Sequence, residues 1–105
     1  MKGFHETMHK VYRKLEDVCR DRYEKLKDED ERLYAEHRRK FLYAGERMEA
    51  AKYGSSEYHR WRLARIGESA GYWPKSNRRV DKIIKWNKRS CWFGEKAFEE
   101  LKKTW

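Results

Sequence analysis

Apolar side chains recur along residues 4–51 at alternating steps of four and three. Phe4, Met8, Val11, Leu15 and Val18 form one stripe, widened by Tyr12 and Cys19 and resumed at Leu26 after a polar step at Arg22. Leu33, His37, Phe41, Ala44, Met48 and Ala51 form a second stripe with the same period. Such spacing marks helices that pack along a shallow seam, as in bundles and coiled coils. Residues 4–44 hold no Gly, Pro, Ser or Asn, so nothing in them interrupts a helix.

The two stripes are separated by Lys27-Asp28-Glu29-Asp30-Glu31-Arg32, in which Asp28 followed by Glu31 has the spacing of a capping box. Two architectures follow. The chain turns at residues 28–30 and makes a helical hairpin, or it continues as one helix of about 48 residues, which would leave a bare seam unless it dimerised. Leu26 and Leu33, seven apart, keep the apolar phase across the acidic run. The hairpin is preferred, because it covers the seam within one chain.

Tyr53-Gly54-Ser55-Ser56 is the clearest boundary: Gly54 suits the end of one helix, and either serine can cap the next. Beyond it the pattern predicts three shorter helices. The first, over about 57–68, carries Tyr58, Trp61, Ala64 and Ile66 inward. The second opens at Pro74, with Val80, Ile83 and Ile84 inward. The third covers 95–103, with Ala97, Phe98 and Leu101 inward. Gly71 and Pro74 place a tight turn at residues 70–72. The expected fold is all-α: a long N-terminal helix or helical hairpin, then three shorter helices. It forms a single domain over 1–105, with 3–53 as a scaffold or self-association part and 55–105 as a contact part.

Charge sharpens that division. Residues 1–51 hold 13 Lys+Arg and 12 Asp+Glu, and residues 52–105 hold 14 and 6, so nearly all of the +9 excess lies in the second half. Localised excess of this kind marks an anion-binding surface. Residues 60–89 carry ten cations against Glu68 and Asp81, together with Trp61, Trp73 and Trp86. Arg78, Lys82, Lys85 and Arg89 follow at steps of four, three and four, one stripe of a helix, with Trp86 at its edge beside Arg79. A polyanion would relieve their mutual repulsion and release counterions. Trp61 and Trp92 read as core, Trp73 and Trp86 as exposed rings able to stack.

The segment around this turn resembles repressor-type helix-turn-helix domains over residues 63–84. Ile66 and Gly67 fit the first helix, Ala70 the residue before the turn, Gly71 the turn, Tyr72 the residue after it, and Val80 the second closing position. Asn77 departs from the pattern where an apolar residue is expected. The resemblance implies that Lys75, Ser76, Arg78 and Arg79 reach a DNA duplex first, and that Arg60, Arg62 and Arg65 sit on its backbone. One copy of the unit implies a homodimer, which the N-terminal helices could supply.

His5-Glu6-Thr7-Met8-His9 spells HExxH, which resembles the zincin signature of two imidazoles one helical turn apart with a glutamate as general base. Only four residues precede it, and a third ligand (His37, His59 or Glu31) is not assigned by spacing. Two surface histidines flanking a core helix is the simpler reading. No motif calls for a cofactor.

Cys19 and Cys91, without CxxC spacing, suggest reduced thiols, and with no signal peptide and no apolar run of membrane length a cytoplasmic protein is expected. The leading expectation is a non-enzymatic protein that binds DNA through the 74–89 helix. The rival is a protein-binding inhibitor or accessory module of phage or mobile-element type that clamps an acidic protein surface or a nucleic-acid-processing enzyme. A minimal zinc hydrolase stands third.

Overall fold

A computed structural model describes residues 2–105, with side chains from Gly3 onward. It contains two α-helices, α1 (Lys2–Ala50, 49 residues) and α2 (Ser56–Lys102, 47 residues), which pair as an antiparallel hairpin. Ala51 to Ser55 connect them. Gly54 adopts φ 81°, the left-handed conformation open to glycine, and Ser55 caps α2 by accepting a hydrogen bond on Oγ from the Tyr58 N–H at 3.1 Å.

Two expectations are corrected. The chain does not turn at residues 28–30: with no breaker between Gly3 and Gly45 and the phase kept from Leu26 to Leu33, α1 runs on through the acidic stretch. Nor are there three shorter helices. α2 passes through Gly71 and Pro74 without the turn expected at 70–72, so the helix-turn-helix geometry is absent and the bend lies at 51–55. Proline inside a helix forfeits one backbone hydrogen bond and costs about 3 kcal/mol. Here Ala70 and Pro74 both face solvent, so water reaches the freed carbonyl. Tyr72, Ser76 and Arg79, on the opposite side, stay packed on α1 and hold the helix together.

The chain divides into two compact units, each drawing on both helices. The terminal unit comprises Met1–Lys27 and Asp81–Trp105; the loop unit is Asp28–Val80. The division therefore cuts across the proposed scaffold and contact halves.

In the terminal unit the seam of α1 is His5, His9, Tyr12, Glu16, Cys19, Tyr23 and Leu26, one residue on from the apolar stripe. It meets Ile83, Trp86, Ser90, Phe93, Ala97 and Glu100 of α2. Ala97 is fully covered and Cys19 is 5% exposed. Phe4, Val11, Leu15 and Val18 stay open, Phe4 at 57%. The displacement has a physical reason. The apolar sector of α1 is wider than one neighbouring helix can cover, and α2 takes the edge where small residues, Cys19 on α1 and Ser90 and Ala97 on α2, permit close approach. Likewise Ile83 enters the seam while Val80, in the loop unit, and Ile84 remain exposed, and Trp92 and Phe98 lie half-open rather than inside.

In the loop unit Ala44, Gly45, His37 and Ser76 are buried. The His37 ring stacks on Tyr72 (centroids 4.1 Å apart, planes 6° apart) and its Nδ1–H donates to Glu68 at 3.2 Å. Trp61 is half-buried against Tyr43, while Ala64 and Ile66 are exposed. Among the described residues no large side chain is completely buried.

Candidate nucleic-acid interface

The eleven cationic, hydroxyl and indole side chains expected to touch DNA divide into three groups. Ser76 is buried at the helix seam, 5% exposed. Arg65 and Arg79 are half-buried in the loop unit. The Arg65 guanidinium lies 4.2 Å from the Phe41 ring centroid, and Arg79 donates from Nε to Asp30 at 3.0 Å while covering Tyr72. Ser76 is closed off, and Arg65 and Arg79 are engaged with side chains of the loop unit. The surface they were assigned to was an inference from the turn, and the turn is not there.

Arg60, Arg62, Lys75 and Arg78 are exposed in the loop unit. Arg60 rests against Trp61 at 5.6 Å, and Lys75 lines a hollow with Lys40 that also contains Glu36 and Glu68. In that hollow Lys40, Lys75 and Arg79 stand against the two acids, so its charge is mixed.

Lys82, Lys85, Trp86 and Arg89 belong to the terminal unit, and here the geometry converges. They line one groove between α1 and α2, about 800 Å³ in volume, with Val18, Asp21, Arg22, Lys25 and Leu26 on the α1 wall. Helical pitch accounts for both rims. Lys82, Lys85 and Arg89 each precede a seam residue (Ile83, Trp86, Ser90), and Arg22 and Lys25 each precede another (Tyr23, Leu26), so the two sets flank the same side of the pair. Trp86 forms the floor between two guanidiniums, Arg22 at 5.2 Å and Arg89 at 4.7 Å from its ring centroid. Trp86 is thus half-buried rather than exposed.

Five cations border the groove against one acid, Asp21. Among the described residues none of the five lies within pairing distance of a carboxylate, although Arg13, Arg20 and Lys96 elsewhere in the unit each have one. Arg22 and Lys25 were missed because the first half of the chain is nearly neutral overall. Their signal was local: they continue the spacing of Phe4, Met8, Val11, Leu15 and Val18 with cations in place of apolar residues.

The HExxH histidines have structural work. His5 donates from Nδ1 to Glu100 at 2.6 Å, and His9 donates from Nδ1 to the Ala97 carbonyl at 2.8 Å. His5 and Lys103 hold the Glu100 carboxyl below its ordinary range, the His5 hydrogen bond being the largest cause. His37 and His59, the possible third ligands, lie in the loop unit with Glu31. Among the described residues no three His, Cys, Asp or Glu side chains are grouped to hold a metal ion. No described helix is long and apolar enough to cross a membrane.

Comparison with family models, curated proteins and solved structures finds no match to the chain.

Proposed function

We propose that this protein binds nucleic acid, duplex DNA in the first instance, through the phosphate backbone, with Lys82, Lys85 and Arg89 of α2 and Arg22 and Lys25 of α1 as the contacting cations. One observation carries this reading: five cations without carboxylate partners border a single groove. Crowding like charge on one surface is unfavourable unless a polyanion neutralises it, and each neutralised phosphate returns condensed counterions to solution. No helix projects from a turn to enter a groove of the duplex, so the contacts position the protein without reading base edges. Binding is therefore expected to be tolerant of sequence. Trp86, clamped between guanidiniums, keeps those cations spread along the groove and is a positioning residue.

The test is a duplex titration at two salt concentrations. Affinity should fall steeply with salt, and each lost phosphate contact should lower the log–log slope by about 0.9. Reversal of Lys82, Lys85 and Arg89 to Glu should abolish binding while the circular dichroism of the helices is unchanged. Salt-independent binding, or a triple variant that binds like the parent, would overturn the reading.

A further inference from the structure

We propose that one face of the loop unit, centred on Phe41, Ile66 and Trp73, docks an acidic amphipathic helix of another protein. Two hollows adjoin there, sharing Phe41 and Ser69. The larger, about 410 Å³, is completed on its apolar side by Met48, Tyr58 and Ile66; the smaller, about 190 Å³, lies between Tyr34 and Trp73. Around them Tyr34, Ile66 and Trp73 are 46%, 53% and 47% exposed. At on the order of 100 Å² for each half-exposed side chain of this size, these three offer roughly 300 Å², the scale at which an apolar patch marks an interaction site.

The polar side chains at the hollows identify the partner. Arg38, Arg62 and Arg65 line them, no Asp or Glu does, and among the described residues none of the three arginines has a carboxylate within pairing distance. Arg65 is the most constrained. Its guanidinium lies on the Phe41 ring and against Gly45, where an added Cβ would touch it at 3.6 Å, and its Nε is buried without an acceptor. A partly desolvated cation lacking a counter-charge is unfavourable, and a carboxylate delivered by a partner removes that penalty. An amphipathic helix meets both requirements: apolar residues at i, i+3, i+4 and i+7 enter adjoining hollows, and acidic flanks reach the arginines. A second copy of this chain, joined through the same face, would bring the arginines against their own equivalents. Nucleic acid would neutralise them and leave the apolar side chains in water.

The full chain is titrated by fluorescence anisotropy with two labelled synthetic helices of about 18 residues, identical in their leucine face and carrying either Glu or Lys on the flanks. The Glu-flanked peptide is expected to bind, and the Lys-flanked one at least about tenfold more weakly. Arg65→Met should weaken the acidic peptide about tenfold, Ile66→Glu should remove binding, and Lys82→Glu should leave it unchanged. Trp73→Glu, at a half-exposed side chain of the smaller hollow, repeats the test at a second position. The proposal fails if neither peptide binds, if both bind alike, or if the Trp73 and Ile66 variants bind like the parent. It also fails if the chain sediments as a dimer that Ile66→Glu dissociates, since a second copy then covers the face. Duplex binding should be indifferent to Ile66→Glu, so failure here leaves the reading of the terminal-unit groove intact.

Discussion

Arg79 donates from Nε to Asp30 at 3.0 Å and joins α2 to α1 within the loop unit. The two side chains are only 15% and 23% exposed, and Arg79 Nη2 is buried without an acceptor. Removing the acid strands a cation in a largely dry seam, whereas replacing the cation by an apolar chain of similar length does not. Asp30→Ala should therefore lower stability by about 2 kcal/mol, reduced from the fully buried case because water still reaches the pair. Arg79→Met should cost less. Urea midpoints of the two variants, read beside the parent, check the order.

The glycines of α2 predict gains of different size. A Cβ at Gly67 or Gly71 would meet nothing within 4 Å, and neither residue needs a glycine-only backbone conformation. Alanine at either position should add about 1 kcal/mol, seen as a rise in Tm. Gly94 is different, since a Cβ there would overlap the Glu16 carboxylate, the far end of a flexible side chain that also pairs with Arg13. Gly94→Ala should raise Tm by less than the other two, because Glu16 must swing aside and its pairing with Arg13 is disturbed.

The pairing of Glu100 with His5 sets an acid limit. The carboxyl is depressed from its ordinary 4.5, so the folded chain keeps it ionised at pH values where the unfolded chain protonates it. That stabilisation is fully present above 4.5 and is lost as the pH falls through the lowered value. Glu100→Gln should have a lower urea midpoint than the parent at pH 7, and the gap should close progressively in acid below about 4.5.

The thiols report the seam directly. Cys91 is exposed and Cys19 is buried between the helices. A disulfide reagent should label one thiol per chain rapidly and the second only at the rate of unfolding. Cys91→Ser should remove the fast phase alone.

Much of α1 was legible, because an uninterrupted run of helix-forming residues in constant phase leaves few alternatives. Even so, the acidic stretch at 28–30 suggested a bend that the helix does not make, and Asp30 is instead the partner of Arg79. In α2 the local signals misled. Gly71 and Pro74 favour a turn, but Tyr72, Ser76 and Arg79 pack on α1 on both sides of Pro74, and tertiary contact outweighs local preference. Apolarity alone misplaced the interface by one residue over the Phe4–Val18 stripe, since the sequence pattern cannot tell which edge of a wide apolar sector a neighbour will take. By contrast, Leu33, His37, Phe41, Ala44 and Met48 of the second stripe are covered as expected. The cations of α2 were visible as a stripe. Their counterparts Arg22 and Lys25 become visible only once the second helix lies alongside.

Directional bonds cross both seams: His5 to Glu100, His9 to the Ala97 carbonyl and Ser90 to the Glu16 carbonyl in one unit, His37 to Glu68 and Arg79 to Asp30 in the other. A leucine zipper can slip by a heptad and find equivalent partners, but no carboxylate lies seven residues from Glu100, Glu68 or Asp30 to receive His5, His37 or Arg79. Polar seam residues of this kind trade strength for a unique alignment. The hairpin should thus behave as a keyed joint, tolerant of softening yet unable to settle in a shifted register.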